Sequence, residues 1–149
     1  AGRGAPAPRL AAAIATAEFP ACATSFETIH GYLNGAIDCV FRHEGRYYLV
    51  DWKSNFLGWT PADYRRAALD QVMRQEDYSL QAAIYSVALH RYLRRRLSGY
   101  DPDAHFGGIY YLFARGVRPD WCDDEGLPIG VWSRALGAAQ LDSLDACFA

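Results

Sequence analysis

The feature that most constrains this chain is a pair of β-type runs, GAIDCVF and RYYLVDW, separated by Glu44-Gly45. Both runs are rich in β-branched and aromatic residues, and an intervening two-residue turn fixes a hairpin's register. Every residue i then pairs with residue 89 minus i, so Arg42 faces Tyr47 and Val40 faces Leu49. The same rule sets Asp38 against Asp51. Because strand side chains alternate faces, Lys53 points to the side of Asp51, while Cys39, Phe41, Val50 and Trp52 are expected to fill the other.

Directly opposed strand residues lie about 4.5 to 5.5 Å apart at Cβ, where like charges repel. Two carboxylates there call for a cation between them, and removing either is expected to raise stability in the absence of metal. Hard oxygen ligands with vacant positions suit Mg²⁺, which keeps several waters and accepts phosphate oxygens. A metal so held can polarise a phosphodiester and lower the pKa of an attacking water, with a lysine supporting the nucleophile or the developing charge. The spacing alone leaves a second reading open: strand-end carboxylates that diverge into solvent. A register slip of one residue would also spoil the pairing.

Lys53 stands out for another reason. Fourteen of the fifteen basic residues are arginine and Lys53 is the one lysine. Arginine enrichment fits a GC-rich genome; a lysine that persists marks a place where a compact ammonium serves and a guanidinium does not.

The rest of the chain reads as one mixed α/β domain. At 149 residues and 51% apolar it is long enough to bury roughly 70% of its unfolded surface. Residues 1–24, rich in Ala, Pro and Gly, read as a linker or upstream remnant with a short helix from Pro8 to Glu18. The run ETIHGYL (27–33) is a further candidate strand, making a three-stranded antiparallel meander with the hairpin. Residues 56–76 read as a loop with a helix after Pro61. Residues 77–97 read as a long amphipathic helix with Leu80, Ile84, Val87 and Arg91 on its apolar stripe. HFGGIYYLFARGV has the apolar continuity of a buried strand, and 134–147 reads as a closing helix.

No apolar run approaches the ~20 residues that cross a bilayer, and the N-terminal stretch lacks a signal-peptide pattern. The four cysteines, Cys22, Cys39, Cys122 and Cys147, form no C-x-x-C pair, which argues against a zinc ribbon. The chain reads as a soluble, cytoplasmic protein with reduced thiols. A net charge of −2 means that any nucleic-acid site must come from local patches.

Taken together, GAID (35–38), DWKSN (51–55) and Gln81-x-x-x-Tyr85 resemble the nuclease signature of the RecB family, within the PD-(D/E)XK nucleases. The stretches FRHEGRYYLVDWKSN, VALHRYLRRRL and HFGGIYYLFARGV extend the likeness from about Phe26 to the end of the chain. The resemblance implies a restriction-endonuclease-like α/β fold, its mixed central sheet carrying an antiparallel hairpin and flanked by helices, over residues 25–149. It implies a Mg²⁺-dependent exodeoxyribonuclease that follows a helicase in repair and recombination, with Asp38 and Asp51 as metal ligands joined by the Trp52 carbonyl. Lys53 is then catalytic, and Gln81 and Tyr85 act on DNA or support the site. The implied partners are single-stranded DNA, the RecC and RecD subunits, and RecA on the product strand.

One departure stands against this. The family also uses a histidine and an acidic helix before the G-x-x-D strand, and Glu18, Glu27 and His30 do not supply them in the right places. The domain is therefore expected to be truncated at its N-terminal side and weak on its own. Two alternatives share the motifs: a nuclease-like module that only holds DNA or partners, and another exonuclease of the family. The first typically loses an acid or the lysine, and all three are present.

Overall fold

The computed structural model describes residues 8–21 and 35–148. The candidate strand 27–33, the boundary at 24–25, Cys22, Glu27 and His30 lie outside them. In chain order the elements are α1 (Pro8–Thr16), β1 (Cys39–His43), β2 (Arg46–Lys53), a 3-10 turn (Pro61–Tyr64), α2 (Arg66–Gln75), α3 (Tyr78–Arg96), α4 (Pro102–His105), β3 (Phe106–Phe113), β4 (Val131–Arg134), α5 (Ala138–Asp145) and a closing 3-10 turn (Ala146–Phe148).

The hairpin forms as its turn dictates. Glu44 and Gly45 have φ of 48° and 83°, the paired left-handed conformation of the tightest hairpin turn, whose twist matches that of the strands it joins. Cys39 pairs with Val50, Phe41 with Tyr48 and His43 with Arg46, the expected register. β1 is shorter than its sequence run, however. Residues 35–38 precede the ladder, so Asp38 stands just off the end of the strand.

Four described strands lie in the order β1-β2-β3-β4. β2 and β3 are parallel, with Asp51 beside Tyr111 and Lys53 beside Phe113. A parallel neighbour requires a crossover, and here α2 and α3 provide it. The third strand of the described sheet is thus a parallel one from much later in the sequence. β4, antiparallel to β3, has no counterpart among the expected elements; its four residues are too short a run to announce themselves.

The inward face of the sheet carries Leu49, Asp51 and Lys53 from β2, Ile109, Tyr111 and Phe113 from β3, and Trp132 from β4, all buried. Helix α3 lies over this face and buries one broad side, through Ser79, Ala82, Ala83, Tyr85, Ser86, Val87, Leu89, His90 and Leu93, with Ala88, Tyr92 and Arg94 exposed. The expected stripe is therefore corrected: of its four members only Val87 is buried, and Leu80, Ile84 and Arg91 are half-buried. Small residues at 79, 82, 83 and 86 let the helix axis approach the sheet closely.

α1 adds Ala13 and Ile14 to the same core, and the turn after it adds Ala17; Arg134 ties that turn down by donating to the Glu18 carboxylate at 2.7 Å. The outward face of the hairpin is the second correction. Val50 is buried there, but Cys39, Phe41 and Trp52 are exposed. Asp51 and Lys53 occupy the packed side of the hairpin, and Phe41 and Trp52 the open one. The whole is a mixed α/β arrangement of sheet and flanking helices, consistent with the PD-(D/E)XK fold class. Cys39, Cys122 and Cys147 are free thiols.

Candidate active site

β2 delivers Asp51 and Lys53 to the inward face two residues apart, and β1 ends where Asp38 can turn back toward them. Asp38 Oδ2 accepts a 2.9 Å hydrogen bond from the Trp52 backbone N–H. That bond fixes the carboxylate of a residue lying outside the ladder. Lys53 O accepts from Ala114 on the β3 side, so the Trp52 N–H and C=O, one residue back, both point to the β1 side. The Trp52 carbonyl thus leaves the strand toward Asp38, past the last β1–β2 pair.

Asp51 is 3% exposed and Lys53 9%, and Lys53 Nζ lies 2.6 Å from Asp51 Oδ2. The ammonium also donates to Gln81 Oε1 at 2.7 Å. It sits 3.9 Å from the centre of the Tyr78 ring and 5.0 Å from that of Tyr111, where ring quadrupoles attract a cation. Burial raises the Asp51 carboxyl above the usual range, against the pull of Lys53, and the negative charge of Asp38 pushes the same way as burial.

Gln81 is the hub that joins helix to sheet. Its Oε1 accepts from Lys53 and from the Tyr111 hydroxyl at 3.1 Å, and its Nε2 donates to the Tyr85 hydroxyl at 3.2 Å. Tyr85 in turn donates to Ala36 O at 2.8 Å, holding the segment that leads into Asp38. The five residues picked out by sequence, Asp38, Asp51, Lys53, Gln81 and Tyr85, thus come together, and Trp52 contributes its backbone. Beside them runs an open groove of about 350 Å³ lined by Gly35, Ile37, Leu80, Gln81, Ile84 and Tyr85.

Three residues of the site were not foreseen. Tyr111 and Tyr78 flank the lysine, and Asn55 accepts from the Tyr78 hydroxyl at 3.1 Å. Burial pushes both phenols above their ordinary range, so they stay protonated. Tyr78 stands three residues before Gln81, one helical turn away, and that spacing was the available signal. Tyr111 is placed by the β2–β3 register, for which no local sequence signal exists.

The donor set suits a hard divalent cation. Asp51 Oδ2 is buried without a well-directed hydrogen-bond donor despite the short approach of Lys53, and carboxylate and carbonyl oxygens are the ligands that Mg²⁺ prefers. Among the described residues, no cluster of three or more His, Cys, Asp or Glu side chains could hold a metal. The oxygens available at this place are the Asp38 and Asp51 carboxylates and the Trp52 main-chain carbonyl.

No family model matches the chain. Over 124 residues, 83% of its length, it is 45% identical to the RecBCD enzyme subunit RecB of Escherichia coli (strain K12), covering 10% of that protein. It is 52% identical to RecB of Haemophilus influenzae over 99 residues, 66% of this chain and 8% of the relative. With RecB of Mycolicibacterium smegmatis it shares 45% identity over 113 residues, 72% of this chain and 10% of the relative. The chain spans about a tenth of the length of the curated relatives it matches.

Proposed function

This chain is a relative of RecB, and on that premise we propose that it is a metal-dependent nuclease module that hydrolyses DNA phosphodiester bonds. The observation that carries the reading is the convergence of a buried carboxylate, Asp51, a lysine 2.6 Å from it, and a second carboxylate held at the Trp52 N–H. That combination is costly to build for stability alone, because taking two charges out of water carries a penalty that their attraction seldom repays in full. Such perturbed, buried ionisable groups cluster at functional sites.

Asp38, Asp51 and the Trp52 carbonyl would hold Mg²⁺, which when bound polarises the phosphodiester. Lys53 bears the positive charge beside that position. It orients an attacking water or stabilises the charge that develops as the new P–O bond forms and the bond to the sugar oxygen breaks. Gln81 and the two tyrosine rings fix the ammonium, so no reorganisation is needed at the moment of reaction. Gln81 and Tyr85 also line the groove through which a strand can approach. As part of a RecB-type polypeptide, the module acts as an exodeoxyribonuclease on strands unwound by the helicase, alongside RecC and RecD, its product receiving RecA. Among the described residues no helix is long and apolar enough to cross a membrane.

The test is Mg²⁺-dependent degradation of single-stranded DNA by wild type and by Lys53→Ala. Loss of about a hundredfold or more in kcat, with DNA unwinding by the intact enzyme unaffected, is expected. Cleavage by Lys53→Ala near the wild-type rate would remove the lysine from the mechanism, and no Mg²⁺-dependent cleavage by the wild type would leave the module as a binding domain.

A further inference from the structure

The loop that leaves β2 just after Lys53 carries two large aromatic side chains into solvent. Trp59 is 86% exposed and Phe56 50%, and their rings meet edge to face at 4.8 Å. An exposed tryptophan propped by a second ring has no core to serve. The strand that runs parallel to β2 ends beside it, in Ala114-Arg115-Gly116-Val117-Arg118. Arg115 Nε donates to Ser54 O at 3.0 Å, which holds the guanidinium 6.0 Å from the Phe56 ring. Arg118 lies 4.6 Å over the Trp121 ring. Phe56, Trp59, Arg115 and Arg118 line one open groove.

From these observations we propose that the groove is a stacking subsite for single-stranded DNA, with Trp59 and Phe56 receiving unpaired bases and Arg115 and Arg118 facing the phosphates. The proposal deepens the nuclease reading and rests on it for the choice of ligand. Aromatic platforms beside positive charge are the sequence-tolerant way to hold a single strand, because every base has a π-face. The position agrees. Open sheets bind ligands beyond the carboxyl ends of their parallel strands, and both Lys53 and Arg115 stand there. Phe56 is three residue steps beyond Lys53, a span of at most about 10 Å, which about three stacked nucleotides cover at about 3.4 Å each. Two of the acids that follow are engaged elsewhere. Asp123 accepts from the backbone of Glu125 and Leu127 within its own turn, and Asp124 pairs with Arg65.

The experiment measures binding in EDTA, where the chemistry is silent, of the full chain to a fluorescent sixteen-residue oligo(dT) and to an abasic oligonucleotide of the same length. Trp59→Ala should weaken oligo(dT) binding about tenfold and leave abasic binding unchanged, with Trp59→Phe intermediate. Arg118→Ala should weaken both probes and flatten the salt dependence. Equal affinity of wild type and Trp59→Ala for oligo(dT) would overturn the subsite and assign the patch to a protein partner instead. The binding assay and the Lys53 cleavage assay fail independently. Under the proposal Trp59→Ala raises KM and keeps kcat, whereas an error in the nuclease reading shows as no Mg²⁺-dependent cleavage by the wild type.

Discussion

The ammonium of Lys53 donates a 2.7 Å hydrogen bond to the side-chain oxygen of Gln81, so the end of β2 and the first turns of α3 meet in one polar contact. Because the amide also takes the Tyr111 hydroxyl and gives to Tyr85, it sets the direction of the lysine. Gln81→Ala is therefore expected to lower kcat between about tenfold and a hundredfold, since a misplacement near 1 Å costs that order of rate. Tyr85→Phe removes only the outer bonds of the network and should cost less than Gln81→Ala. Single-turnover cleavage of single-stranded DNA measures both. A Tyr85→Phe defect equal to that of Gln81→Ala would show that the amide does not act through Lys53.

The two carboxylates should respond unequally to removal. Asp51 is buried and its nearest charge is Lys53, so Asp51→Ala strands a buried ammonium and should destabilise the fold by about 3 kcal/mol. Asp38 is exposed and makes one bond to the Trp52 N–H, so Asp38→Ala should cost about 1 kcal/mol or less. This reverses for Asp51 the gain in stability that hairpin pairing alone led one to expect. Urea denaturation in EDTA decides it, and equal midpoints for the two variants would refute the asymmetry.

Acid should unfold the protein in two stages. His90 is 2% exposed, with Nδ1 3.1 Å from the Tyr100 hydroxyl and Nε2 near Arg94 and Asp142. Burial first, and the charge of Arg94 second, depress its pKa below 6.5, against the opposite pull of Asp145 and Asp142. The unfolded chain then takes up a proton that the folded one refuses, so stability is full above pH 6.5 and falls as pH drops from there through the folded pKa. Burial would raise the Asp145 carboxyl, but the hydrogen bond and charge of Arg91 and the charge of Arg94 outweigh it and hold it below 3.8. Its contribution is present above pH 3.8 and lost as pH falls through the folded value. Denaturation midpoints across this range should lose their first decline in His90→Gln and their second in Asp145→Asn. A His90→Gln curve that keeps the decline below pH 6.5 would assign it to another group.

Much of the site was legible because its parts are local. A two-residue turn at Glu44-Gly45 fixes the hairpin register without help from the rest of the chain, and strand alternation puts Asp51 and Lys53 on one face, while Asp38, beyond the last ladder pair, is placed by its bond to the Trp52 N–H. Gln81 and Tyr85 stand four apart in a helix that its own composition announces. Motif, spacing and flanks together pointed to the nuclease class, and the relatives agree.

What the sequence by itself determined, then, is the set of contacts that close over a few residues: the hairpin, the long helix, and the placing of Asp51 and Lys53 on one side of a ribbon. Alternation along a strand says which residues share a face and is silent on which face is covered. Only the tertiary structure decided that α3 crosses over the acidic side, burying Asp51 and leaving Trp52 in solvent. It also decided that β3, more than fifty residues later, lies parallel to β2 and sets Tyr111 beside Asp51. β4 exists for the same reason, since Val131–Arg134 is held in place by pairing with β3 and by the burial of Trp132 against Phe19 and Tyr111. Such pairings follow from burying apolar area between distant segments, and no window of neighbouring residues contains that energy.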